Sequence, residues 1–172
     1  YYFEAKNSTD FNKDFFKYSF FTFIFNLFHF AIIYNMFSNN MNIKSSKELV
    51  DNAKKAIKSI SATEIKNLKE KGEITLIDIR DIRELWKEGT IEDAIHIPRG
   101  MLEFWLDPES NYYKEKKMGN IKNIALYCAL GLRSALATKT LQDMGFTNVL
   151  NVEGGFDSLK ESGMKIVVKK KK

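Results

Sequence analysis

The chain has 172 residues, 44% of them hydrophobic and 28% charged, with 27 Lys and Arg against 22 Asp and Glu for a net charge of +5. Four of those charges sit in the tail Lys169 to Lys172, so no basic face interleaved with aromatics marks the chain for nucleic acid. One cysteine excludes an intrachain disulfide, and one cysteine, two histidines and no clustered carboxylates argue against a metal site.

Residues 1–40 differ from the rest. They hold 11 of the 14 phenylalanines and no arginine, and the run from Tyr18 to Ile43 carries no Asp, Glu, Lys or Arg. By length that run spans a bilayer, yet Asn26, His29 and Asn35 are costly at mid-membrane, and the flanking Lys13, Lys17, Lys44 and Lys47 set no orientation. No small-residue cleavage site closes it, so a secretory signal peptide fits poorly. Phe, Lys, Asn, Ile and Tyr, the residues of A/T-only codons, make up 27 of residues 1–40 against 48 of the other 132. Three readings stand for this segment: A/T-rich upstream sequence read through in frame with Met41 or Met36 as the start, a membrane anchor, or a disordered or targeting extension.

From Met41 onward the length suits one domain with a sizeable core. Residues 41–60 form a lead-in, in which Ser45 to Lys58 reads as an amphipathic, lysine-rich helix. Ser61-Ala62-Thr63-Glu64 has the form of a capping box, predicting a short helix through Lys71 that Gly72 ends. Asp78 and Arg80, at strand-end spacing, are expected to form a pair that supports the structure. His96 is expected to be a satisfied, partly buried residue rather than a base. Arg99, after Pro98, is a candidate anion contact or a solvated arginine. The apolar stretch Met101 to Pro108 reads as a short helix with buried aromatics, with a wall of the site as the other reading.

Ile124-Ala125-Leu126-Tyr127 is short, apolar and partly β-branched or aromatic, which suits a buried parallel strand. Ser134 to Met144 has helical spacing and stops at Gly145. Cys128 therefore heads a strand-to-helix turn, Cys128-Ala129-Leu130-Gly131-Leu132-Arg133. Such a turn directs backbone N–H groups and a positive helix end at an anion, and a thiolate is one. Arg133 adds a fixed cation, and Gly131 allows a φ that other residues resist. A buried core cysteine is the plainer alternative. Strand and helix alternate through Val152, the pattern of a parallel sheet covered on both faces. The basic tail is residues 167–172.

These residues resemble the rhodanese, or single-domain sulfurtransferase, family over residues 61–166. The six residues from Cys128 to Arg133 have the form of its active loop. Leu76 to Asp81, followed by Glu84, looks like its Asp-Val-Arg strand, and Gly89 to Pro98 like its Gly-His-Ile…Asn-Ile-Pro stretch, with Thr90 where histidine is common and Asp93 where glycine is. Asn148 to Phe156 resembles its Gly-Gly-aromatic turn, with Phe156 for tryptophan. The resemblance implies an α/β fold, a three-layer α/β/α domain with a central mostly parallel sheet. It also implies Cys128 as nucleophile and sulfur carrier, Ala129, Leu130, Gly131 and Leu132 as loop contacts, and no cofactor. Related phosphatases and arsenate reductases use a loop one residue longer.

The expected reaction takes a sulfane sulfur from thiosulfate or a persulfide donor, through a Cys128 persulfide, to cyanide, a thiol or a protein cysteine. The apolar Ala129-Leu130 rim sits poorly with thiosulfate as the natural donor, since many members carry a charge there. A sulfur or redox relay to one protein partner is the alternative, and a phosphatase or arsenate reductase fits less well. An inactive binding module would normally have lost the cysteine. A working thiolate suits the cytoplasm, and a membrane enters only if residues 1–40 are genuine.

Overall fold

The computed structural model describes residues 24–32, 43–119, 121 and 123–171. They fall into two units divided between Lys44 and Ser45. In the first, residues 24–32 form helix α1, where Phe25 and His29, one turn apart, stack with ring centroids 5.4 Å apart. Most of the apolar run 18–43 lies outside the described residues. Among the described residues no helix is long and apolar enough to cross a membrane.

The second unit begins with α2 (Ser46–Ala56), capped by Ser45, whose Oγ accepts the Glu48 N–H. After β1 (Ser59–Ile60), the expected capping box forms as written: Ser61 Oγ accepts the Glu64 N–H and Glu64 returns to the Ser61 N–H, starting α3 (Ala62–Glu70). Strand β2 (Thr75–Asp78) leads into α4 (Ile82–Glu88), which a second capping box, Asp81 with Glu84, opens. The chain continues through β3 (Thr90–Ile91) and β4 (Ile95–His96), then a 3₁₀ turn over Arg99–Met101 and α5 (Leu102–Leu106). Next come α6 (Glu115–Met118), β5 (Ile124–Tyr127), α7 (Leu132–Asp143), β6 (Val149–Val152), α8 (Gly155–Glu161) and β7 (Ile166–Val167).

The strands pair in the order β1-β6-β5-β2-β4, every pair parallel, while β3 and β7 form a separate antiparallel ribbon. β5 lies at the centre with all four residues buried, which is why its sequence is a continuous apolar run instead of an alternating one. Its side chains alternate faces. Ile124, Leu126 and Cys128 join Ala137 and Leu141 of α7, while Ala125 and Tyr127 join Ile65 of α3 and Phe156 and Leu159 of α8. Helices thus cover both sheet faces, giving the three-layer α/β/α domain, and α2 packs on the outer side of α7.

Two expectations are corrected. In the stretch Met101 to Pro108 the buried residues are Leu102 and Leu106, while Phe104 is exposed and Trp105 only partly covered. The i, i+4 spacing puts the two leucines on one face of α5, and the core takes that face. Helix α7 begins at Leu132, not Ser134, because Gly131 itself is the left-handed cap residue (φ +79°) and the helix starts directly after it.

Candidate active site

Cys128 follows the last residue of β5, and its sulfur is nearly sealed, the residue being 1% exposed. The loop that leaves it is held from behind by the start of α8. The Phe156 N–H donates to the Cys128 carbonyl at 2.7 Å and the Asp157 N–H to the Ala129 carbonyl at 3.3 Å. With those carbonyls turned back towards α8, the loop's own N–H groups are free to face the sulfur.

Gly155 makes the close approach possible. A Cβ there would stand 2.4 Å from the Cys128 carbonyl oxygen and 2.7 Å from the Gly131 nitrogen, and its φ of +61° is one that side-chain-bearing residues resist. Gly155→Ala is therefore expected to lower stability by about 2–3 kcal/mol, from strain and overpacking together. It should also slow Cys128 alkylation at neutral pH by displacing the loop. A urea unfolding midpoint and an iodoacetamide rate check the two effects.

Burial pushes the Cys128 thiol up, but this is outweighed by hydrogen bonds from the Ser134 N–H and hydroxyl, the Leu130 N–H and the Arg133 charge, and the net direction is down. Arg133, whose charge acts on the sulfur, is not a free cation. Its guanidinium forks onto Glu84, with both N–H···O distances 2.8 Å. Glu84 also receives the Asp81 N–H at 2.9 Å, so one carboxylate ties the loop to the start of α4. The pairing raises Arg133 and lowers Glu84.

Asp78 and Arg80 meet on the opposite sheet face, both fully buried. Arg80 Nη2 donates to Asp78 Oδ2 at 2.9 Å and to the Gly89 carbonyl at 2.7 Å, Nη1 reaches Glu88 at 3.1 Å, and the guanidinium carbon lies 3.8 Å from the Phe156 ring centroid. Thr90 completes the cluster. Its hydroxyl donates to Asp78 Oδ2 at 2.8 Å and so accepts from the Tyr127 hydroxyl at 2.8 Å, which in turn accepts the Ile91 N–H. Burial, then the Asp78 charge, push the Tyr127 phenol well up, keeping it a donor. The departures Thr90 and Phe156 noted in the sequence are thus both used, one as a hydroxyl link and one as a ring under a guanidinium.

The remaining predicted residues separate into two groups. Ala129 is partly covered, whereas Leu130 (58% exposed) and Leu132 (46%) form an open apolar rim, and Gly131 caps α7. Arg99 is not part of the loop. It pairs with Glu103 at 2.5 Å and reaches Thr140, six residues or about 9 Å along α7 from Ser134. His96 is partly buried, with Nε2 2.9 Å from the Arg80 carbonyl oxygen. Glu84 and Ser134 received no role from the sequence. Asp81-x-x-Glu84 carries a capping-box signal that would have placed the first, while nothing local marks the second.

The rhodanese-like domain family model matches residues 61–162, and the chain belongs to that family. It is 28% identical over 103 residues to the thiosulfate sulfurtransferase GlpE of Coxiella burnetii, covering 60% of this chain and 87% of that one. It is 29% identical over 103 residues to the mouse thiosulfate sulfurtransferase/rhodanese-like domain-containing protein 3, covering 58% of this chain and 66%, just under two thirds, of the mouse protein. Among solved structures, a Rhodopseudomonas palustris protein described as a possible tyrosine phosphatase superposes with a TM-score of 0.69 at 38% identity, over 74% of this chain and 98% of that one.

Proposed function

We propose that the protein transfers sulfane sulfur through a persulfide on Cys128. The observation that carries this reading is the cradle: a nearly sealed cysteine inside a six-residue loop whose first two carbonyls α8 holds away from the sulfur. The thiolate attacks the terminal sulfur of a donor R–S–S⁻, or of thiosulfate. The donor's S–S bond breaks with its electron pair leaving on RS⁻ or sulfite, and a Cys128 S–S bond forms. An acceptor thiolate or cyanide then attacks the outer sulfur and returns the Cys128 thiolate. Loop N–H groups stabilise both anions, and Arg133, braced by Glu84, adds its field.

The burial of Cys128 favours a slim terminal sulfur over a tetrahedral phosphoryl group, which needs room around its equatorial oxygens. The open Leu130 and Leu132 rim favours a donor or acceptor that brings apolar surface, such as an organic or protein persulfide, in a reducing compartment. Leu130→Arg is expected to raise kcat/KM for thiosulfate by about tenfold, the value of one charge-assisted contact, with a smaller gain for an alkyl persulfide, which carries one negative charge where thiosulfate carries two. Steady-state kinetics with both donors checks it.

The direct test is the intact mass of the full chain after exposure to thiosulfate or to an alkyl persulfide, alongside turnover with cyanide or a thiol. A sulfur adduct of about 32 Da that an acceptor removes supports transfer. An adduct passed on only to one protein partner is the outcome of a relay. No adduct from either donor, with hydrolysis of a phosphate ester, overturns the reading in favour of a phosphatase.

A further inference from the structure

A row of polar side chains leads away from Cys128 through the sheet. Ser134, on the first turn of α7, has its Oγ 3.6 Å from Cys128 Sγ and donates to Asn151 Oδ1 at 2.7 Å. Asn151 Nδ2 donates in turn to Ser59 Oγ at 3.1 Å. Ser134 and Asn151 are fully buried. The register sets the row: Asn151 lies opposite Leu126 on β5 and opposite Ser59 on the edge strand β1, and shares the α7 face with Val149.

A hydroxyl has one proton, and here two acceptors compete for it. In the arrangement seen the backbone N–H groups of Leu130 and Ser134 face the sulfur, but the Ser134 hydroxyl is shared: its short bond goes to Asn151 Oδ1 at 2.7 Å and its long one to Cys128 Sγ at 3.6 Å, while Asn151 gives a proton of its own to Ser59. That suits the thiol, whose S–H then has the Ser134 oxygen to bond to. A thiolate needs the reverse. Once the thiol proton has left to water, the Ser134 proton must swing to the sulfur, which leaves two acceptors, Ser134 Oγ and Asn151 Oδ1, 2.7 Å apart unless the amide turns over. A half-turn of the Asn151 amide aims Nδ2 at Ser134 Oγ and Oδ1 at the Ser59 hydroxyl, which can donate, and every group is satisfied again with no proton added.

We infer that Asn151 is a positioning residue that sets the direction of the Ser134 proton, so that ionisation of Cys128 is coupled to a half-turn of a buried amide braced by Ser59. The inference rests on Cys128 as the nucleophile. The charge that acts on Cys128 is that of Arg133, paired with Glu84; Lys47, Asp51 and Lys54 of α2 line a pocket with Arg133, and Asp157 of α8 meets the loop through its backbone. All are common to the variants below, so differences among those variants report the row.

The test is the rate of Cys128 alkylation by iodoacetamide across pH in the full chain, which reads the thiolate directly. Ser134→Ala is expected to move the apparent thiol pKa up by about one unit, a tenfold loss of thiolate where the thiol is mostly protonated. Asn151→Asp, an acceptor that always holds the Ser134 proton, should move it up at least as far. Asn151→Leu and Asn151→Ala, which release the Ser134 proton to the sulfur, should leave it unchanged or lower it. Combined with Ser134→Ala, each Asn151 substitution should lose most of its effect. A rise in pKa for both apolar variants, or an undiminished Asn151→Asp effect in the Ser134→Ala background, would overturn the inference, the first pointing to a purely structural amide and the second to charge acting through space. The predicted pattern without any sulfur adduct would keep the inference and dispose of the sulfurtransferase reading instead.

Discussion

Cys128→Ser is expected to abolish sulfur transfer, by about 10³-fold or more, while leaving the domain folded. The serine oxygen is smaller than sulfur and fits the same cradle, and the carbonyl contacts from Phe156 and Asp157 are made to backbone and do not depend on the side chain. Yet the loop N–H groups and Arg133 cannot bring an alcohol within reach of ionisation near neutral pH, and an alkoxide would not form a persulfide. The sulfur adduct should vanish together with turnover, because one atom serves as both nucleophile and carrier. Intact mass and steady-state rates, with a thermal melt as the folding control, give the result. Residual turnover above a few per cent would mean that sulfur passes directly between donor and acceptor without resting on the protein.

Asp78→Ala should be the most destabilising single change on the other face of the sheet, by about 3–5 kcal/mol. Arg80 has no exposed surface, so losing Asp78 strands a guanidinium that keeps only Gly89, Glu88 and the Phe156 ring as partners. Thr90 loses its acceptor at the same time, and the Tyr127 link behind it is loosened. Removing both charges should hurt less: Asp78→Ala with Arg80→Met is expected to recover part of the loss, since an apolar side chain of similar length can occupy the space under Phe156. Urea unfolding of the two variants measures the difference. If the single and double variants were equally unstable, the penalty would lie in the lost Thr90 and Tyr127 bonds and not in the stranded charge.

What could be read in the sequence was what neighbours in the chain decide. The Ser61-Glu64 box, the buried run of β5 and the turn at Gly131 all depend on a few adjacent residues, and each is found where its pattern put it. The same holds for the place of Cys128 on a turn from strand to helix. The partners that tune it were hidden because they come from far along the chain: Glu84 is 49 residues from Arg133, Asn151 is 17 from Ser134, and Ser59 is 92 from Asn151. No period or spacing announces such a meeting. In α5 the aromatics drew attention by size, whereas burial followed the one-turn spacing of two leucines. Arg99 directly follows the Gly89 to Pro98 stretch, yet Glu103, one turn on, was nearer to hand for its charge than the Cys128 loop.

The first and last strands of the main sheet are neighbours, β1 lying on β6, and the ribbon waits longer still, with Thr90 and Ile91 paired to Val167 and Ile166. The amides that hold the Cys128 loop open belong to residues 156 and 157, which leave the ribosome well after the cysteine does. On a nascent chain the turn after Cys128 therefore lacks the backbone bonds that shape it until residues 156 and 157 have emerged and docked.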